Sequence, residues 1–377
     1  MACFEDFDSK CRLRMAVAGQ CDAFDGAVAV VALCGSSHAG SRLADGDNDE
    51  AALGAWRQMC GQDCGRQGSA HGLGVKGFQE VCALLLRLVY VFWHVSWYNA
   101  SINARHAKAV LVSFELYNSD FGAGSNPGFL VVCDHASNAL PEGYGTLGLA
   151  PSEFSRHIAY DIGAADVSRR LADALKCPAV LARYSRLLID LNRGADDPTL
   201  VMKLSDGAII PANRDVDVFA DKAEFAHRLE AFHEPYHAAV AAALNRARAA
   251  GAVPAILSIH SFTPSWRGVA RPWHTGILWD RDDRLPAPLL DGLRAESGLV
   301  VGDNEPYTGA LKGDCLYRHG TQNGLPHVLI EIRQDLIAEA KGQAEWAARI
   351  ARLVGAAADT PYMNDIKFYG SQTDAAD

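Results

Sequence analysis

The chain has 377 residues, 49% of them hydrophobic and 21% charged, with 35 Lys and Arg against 45 Asp and Glu. That composition excludes a disordered or collagen-like chain taken as a whole and supplies apolar material for a sizeable core. A net charge of −10 excludes a global basic footprint for nucleic acid, but leaves room for a local basic pocket that takes a small anion.

The ten cysteines are unevenly placed: Cys3, Cys11, Cys21, Cys34, Cys60, Cys64 and Cys82 precede a long stretch holding only Cys133, Cys177 and Cys315. The start, MACFEDFDSKCRLR, is acidic and lacks the apolar stretch of a signal peptide, so a reducing, cytoplasmic setting is expected rather than a disulfide framework. Ser36 to Gly77 is rich in Gly, Ser, Asp and Gln and shows no sustained period of 3.6 or 2. VCALLLRLVYVFWHVSWY (81–98) is the most apolar run. Arg87 and His94 interrupt it, so it reads as a buried or surface-docked element before a membrane span or a disordered stretch. Residues 1–126 are therefore expected to be an extension that is poorly ordered or no part of the functional protein.

From Asn126 the pattern changes. GFLVVC (128–133) reads as a buried strand ending at Asp134 and His135. Residues 150–177 carry helical periodicity broken at Gly163, and AVLARYS (179–185) is a second strand. Residues 221–250 are helical on either side of Pro235; 254–262, 275–280, 299–301 and 327–335 read as strands, and 339–358 as an amphipathic helix. Short apolar strands alternating with helices predict an α/β fold with a largely parallel sheet, where ligands bind at the carboxyl ends of strands. His135, His260 and Glu331 all fall at or near such ends. Glu331 lies between Ile330 and Ile332, so its side chain points opposite to theirs; a buried charge there needs a partner, a metal or an Arg such as Arg333.

Taken in order, DHASNALP (134–141), YDIGA (160–164), SRLLIDLNR (185–193), PYH (235–237), SIHSFTP (258–264), NEPYTG (304–309) and PHVLIEIRQDLI (326–337) resemble the N-formylglutamate amidohydrolase family. The resemblance covers about 127–358 and leaves 359–377 as a C-terminal tail. It implies a three-layer, phosphorylase/hydrolase-like α/β fold. It also implies metal-dependent hydrolysis of an N-acyl amino acid, with N-formyl-L-glutamate or a relative as the substrate class. A small-molecule substrate is expected, with no nucleic-acid partner and no membrane partner. A peptidase or deacylase on the same scaffold, or a non-catalytic metal- or ligand-binding relative, are the alternatives.

Such chemistry needs a cation, Zn²⁺ or another divalent metal, to polarise the carbonyl and activate water. His135 and His260 are candidate ligands, with Asp161 as the third; Asp134 competes for that place or orients His135 from behind. Glu331 is the candidate general base and His319 a candidate for steadying the oxyanion. Arg193 and Arg271, then Arg186, are candidates for a substrate carboxylate, with Asn192, Asn304 and Tyr307 adding hydrogen bonds.

Other motifs carry less. HEPYH (233–237) formally matches H-E-x-x-H, but Pro235 should kink or break the uninterrupted helix that this zinc signature needs, and a new helix starting at Pro235 is the more plausible course. His237 can still face the site, whereas Glu234 loses the geometry of a base. GLGVKG (72–77) lacks a preceding strand, Cys60 and Cys64 with His71 lack a fourth ligand, and Asn99-Ala-Ser carries no meaning in a cytoplasmic protein.

Overall fold

The computed structural model describes residues 112–118 and 125–374. The early cysteines, the 81–98 run, GLGVKG, the Cys60, Cys64 and His71 group and Asn99 lie outside the described residues. Among the described residues no helix is long and apolar enough to cross a membrane.

A seven-stranded mixed sheet forms the middle layer. Its strands are β1 (Phe114–Tyr117), β2 (Phe129–Cys133), β3 (Ala179–Ala182), β6 (Ala255–Phe262), β9 (Thr275–Leu278), β10 (Val301–Asp303) and β11 (His327–Arg333). The order across the sheet is β1-β3-β2-β6-β11-β9-β10. Strands β3, β2, β6 and β11 are parallel, while β1 and the β9–β10 pair run against them at the two ends. The central strands are apolar almost throughout because both of their faces are covered. Two small hairpins, β4 (Leu204–Ser205) with β5 (Ala208–Ile209) and β7 (Ser265–Trp266) with β8 (Val269–Ala270), stand outside the sheet.

The side-chain alternation divides the core in two. Val131, Leu257, Ile259, Val328, Ile330 and Ile332 face one layer, made of α1 (Ala164–Leu175), α4 (Pro286–Arg294) and α6 (Ala340–Ala358). Helix α6 buries Trp346, Ile350, Leu353 and Val354, an i, i+4, i+7, i+8 stripe in which each large side chain contributes about 1.5–3 kcal/mol of burial. On the opposite face Leu130, Val132, Ile256 and Leu329 pack against Phe232, Tyr236, Val240 and Leu244. That third layer holds α2 (Lys222–Arg228), α3 (Glu234–Ala249) and α5 (Cys315–His319). The α/β layer architecture is as expected from the sequence, with an antiparallel strand added at one end and an antiparallel pair at the other.

Helix α2 begins at Asp221, whose side chain accepts from the Glu224 amide at 3.1 Å, as in a D-x-x-E capping box. It passes through a five-residue π-type turn, Leu229–His233, directly into α3. The expected interruption is the π-type turn just before Pro235, and a new α-helix starts there as expected. The widened turn ends just before Glu234, so Pro235 occupies the first turn of α3, where its missing N–H costs nothing. His233 and His237 consequently stay on one buried face, ring centroids 4.4 Å apart. Glu234 points outward to Arg318 at 2.9 Å and has no geometry for catalysis.

Candidate metal centre and active site

His135 stands two residues past the end of β2, and its carbonyl accepts the Asp161 amide at 2.9 Å. That bond draws the 160–163 segment over the strand end. Gly163, at φ +81°, then turns the chain into α1; a Cβ there would stand 2.3 Å from the Ile337 carbonyl oxygen, so only glycine fits. His260 sits on β6 and Glu331 on β11, directly opposite one another in the parallel register. Glu331 also faces Gly276 across the antiparallel β9 pairing.

These side chains converge. His260 Nδ1 is 2.8 Å from Asp161 Oδ2, and His135 Nδ1 is 3.4 Å from the same oxygen. All three ligand atoms lie within 4.8 Å of one another, and the three residues are buried. Each imidazole is held from behind by a different carboxylate. His135 Nε2 meets Asp190 Oδ1 at 2.7 Å, while His260 Nε2 lies 3.3 Å from Asp134 Oδ2 and 3.1 Å from Ser258 Oγ. Asp134 thus orients His260, not His135, and is itself fixed by the Tyr236 hydroxyl, which donates to it at 2.7 Å. The role expected for Asp134 falls instead to Asp190.

Three observations test whether the residues suit a divalent cation. His135 Nδ1 is buried with no hydrogen-bond partner although it points at Asp161. Both imidazoles carry the carboxylate support typical of metal-bound histidine. The charge balance agrees as well. Asp134, Asp161 and Asp190 are almost fully buried, and Arg186 alone among the described guanidiniums pairs with any of them, at 2.7 Å to Asp190 and 3.7 Å to Asp161. With neutral imidazoles the cluster is left about two charges negative. Burial alone would lower the His260 pKa, but its hydrogen bonds to Asp134 and Asp161 outweigh it and raise it to about 10. The residues fit the ion.

Glu331 forms the next wall. It is 7% exposed, its Oε2 has no partner, and among the described residues no cation pairs with it; Arg333 binds Asp335 at 2.8 Å instead. Burial pushes its pKa up to about 7, with the nearby Asp161 charge acting in the same direction against His260.

A cavity of about 410 Å³ opens onto this centre, within the usual size range for small-ligand sites. Among the residues singled out from the sequence, His135, Asp161, Arg186, Asn192, Arg193, His260, Tyr307 and Glu331 all contribute to its wall. The others do not. Arg271 stands one layer out, its guanidinium 5.2 Å from the Tyr307 ring centre and donating to Thr263 Oγ1 at 3.1 Å. Asn304 is spent within its own loop, its Oδ1 accepting from the Trp279 and Gly309 amides at 3.0 and 2.9 Å. Asn192 Oδ1 accepts the Cys315 amide at 3.2 Å, tying the Arg193 segment to α5. His319 ends α5 and stacks on His237, away from the cavity, and burial lowers its pKa to about 4. His319 is not among the residues lining the cavity, where an oxyanion would form.

Asp190 was missed because a carboxylate that braces a histidine looks, in sequence, like any Asp ending an apolar run; RLLID repeats the FLVVCD pattern, and that parallel was the available signal. His157 and Asp314 also line the cavity without having been singled out. Asp314 caps α5, accepting the Tyr317 amide at 2.6 Å, and burial raises its pKa to about 7. His157 lies between the two hairpins, 3.5 Å from Asp206 and with its ring 6.1 Å from that of Trp266.

No curated protein matches the chain significantly. Among solved structures, a gene product of Agrobacterium tumefaciens is 36% identical with a TM-score of 0.61, the match covering 66% of this chain and 96% of that one. An N-formylglutamate amidohydrolase from Ralstonia eutropha is 22% identical with a TM-score of 0.46, covering 66% of this chain and 97% of its own. Residues 128–338, more than half of the sequence, match the family model of N-formylglutamate amidohydrolase, and the chain belongs to that family.

Proposed function

We propose that this domain hydrolyses the amide bond of an N-acyl amino acid, with N-formyl-L-glutamate or a close relative as substrate. The observation that carries the reading is Glu331, a buried carboxylate with an unpartnered oxygen, aligned with His260 on the wall of the cavity. His135, Asp161 and His260 would hold the cation, and an imidazole–carboxylate donor set of three suits Zn²⁺. When bound, such an ion supplies Lewis-acid polarisation of the amide carbonyl and makes water a stronger nucleophile at neutral pH.

The chain's own residues do the rest. Glu331 removes a proton from the attacking water and delivers it to the amine nitrogen as the C–N bond breaks, giving the carboxylic acid and the free amino acid. Its burial keeps it basic enough for the first transfer and protonated long enough for the second. Asp190 and Asp134 hold the two imidazoles at fixed tilt, so that the Nδ1 atoms stay aimed inward. Arg193 commits Nη1 to the Asn192 carbonyl and Nε to Thr199, which leaves Nη2 for a substrate carboxylate. Tyr307, backed by Arg271, closes the other side.

A panel of N-formyl, N-acetyl and dipeptide substrates, assayed before and after chelation, tests this. Turnover of N-formyl amino acids that chelator abolishes is expected. Turnover restricted to dipeptides or N-acetyl compounds would replace the substrate assignment. No turnover on any compound, with metal bound, would make the chain a non-catalytic relative.

A further inference from the structure

Behind the cavity, a second group of ligand-type side chains is buried between α3 and α5. His237, Cys315 and His319 are 1%, 0% and 4% exposed, and one potential ligand atom from each lies within 4.8 Å of the others. His237 Nδ1 and His319 Nε2 face one another at 3.0 Å, close to the roughly 3.3 Å between two nitrogens on one tetrahedral zinc with Zn–N bonds of about 2.0–2.1 Å. The pair does not form a closed hydrogen-bonded unit. The other ring nitrogen, His237 Nε2, is buried with no partner.

The surroundings suit a soft cation. Both imidazoles and the thiol are buried between the two helices. The Asp134 carboxylate lies near enough for its charge to act on all three side chains, and the Cys315 thiol faces it. His233 is not available as a further ligand: its Nε2 is engaged with the Arg193 carbonyl at 3.0 Å.

We propose that Cys315 Sγ, His237 and His319 form a second, structural metal site for a thiophilic divalent cation, Zn²⁺, with the Asp134 carboxylate alongside as its charge complement. One thiolate with two imidazoles is a zinc-selective donor set, and this one contains no acidic ligand that would favour Mg²⁺ or Ca²⁺. Binding releases one proton, from the Cys315 thiol; each imidazole gives a lone pair and keeps its remaining N–H. The site would lock α3 to α5 and hold Asp134, and through it His260, without entering the cavity. It stands independently of the catalytic reading.

The full-length chain, stripped of metal and titrated anaerobically with Co²⁺, provides the test. A sulfur-to-cobalt charge-transfer band should grow to one equivalent in the wild type and be retained in His135→Ala, which removes the cavity site. Cys315→Ser and His237→Gln should each lose the band and one equivalent of zinc by elemental analysis, with folding checked by circular dichroism. The second variant decides the matter if the first fails to fold. Absence of the band in the wild type, an undiminished band in either Cys315→Ser or His237→Gln, or its loss in His135→Ala would overturn the proposal.

Discussion

Replacing Asp190 by Asn tests the arrangement of the cavity site more sharply than removing a ligand would. Asp190 Oδ1 accepts from His135 Nε2 at 2.7 Å and from the Asn192 amide at 2.9 Å, while Oδ2 accepts from Arg186 Nη2 at 2.7 Å. An amide offers one oxygen where the carboxylate offered two. With its oxygen toward His135, the new NH2 confronts the Arg186 guanidinium as donor against donor; turned round, it deprives the His135 N–H of its acceptor. The half-buried arginine then retains only Asp161, at 3.7 Å. Loss of a carboxylate behind a metal-bound imidazole weakens affinity about 10–100-fold, or ~1.4–2.8 kcal/mol. The assay is chelator competition for Zn²⁺, read on the binding step that His135→Ala abolishes. An affinity unchanged within about threefold would show that His135 does not bind metal through Nδ1.

Other perturbations reach different parts of the molecule. Glu331→Gln should retain the metal but lose turnover, because the amide cannot take a proton; turnover near wild-type would remove Glu331 as the base. Gly163→Ala should destabilise the fold by at least about 2 kcal/mol in denaturant melts, through the left-handed backbone at φ +81° and the clash with the Ile337 carbonyl, and a neutral result would mean the 160–163 turn can relax. Arg228→Ala removes a buried guanidinium that donates to the Leu188 carbonyl and Asn213 Oδ1, both at 2.8 Å; about 3 kcal/mol of stability should be lost by urea unfolding. The hydrogen bond from Arg169 holds the Glu115 pKa below its ordinary value, so the pair's contribution is present above the unfolded carboxylate pKa and lost as pH falls through the lower folded value. The thermal stability difference between wild type and Glu115→Gln should therefore shrink as the pH drops from about 6 to 3.

The parts of this molecule that the sequence revealed are those where a physical rule leaves one option. Glu331 between two isoleucines had to face away from them, and it does. The central strands were legible because double-sided burial writes continuous apolar runs. Strand direction was not: β9 has the composition of its parallel neighbours, and its antiparallel pairing with β11 depends on the route of the loops around it. The small hairpins and α5 were too short to leave a period. That His319 lies off the cavity wall was not legible, because a histidine in a buried helix end and one at a cavity wall have the same sequence surroundings. Pro235 marked the start of α3, as its fitness for a first turn predicts, but nothing in the sequence announces the widened turn before it.

The pairing of His260 with Glu331 across β6 and β11 has a consequence for how such a site can change. The two groups sit on separate strands but share one coordinate, the offset between those strands. A shift of one residue would turn one of the two onto the opposite face of the sheet from the other, and a shift of two would set Leu329 or Arg333 opposite His260. Position 331 can therefore be exchanged for another residue, but not relocated. Any insertion that lengthens the chain near the site must be absorbed in the loops, where Tyr307 and Arg193 stand, so substrate preference can drift while the distance between the imidazole and the carboxylate stays fixed.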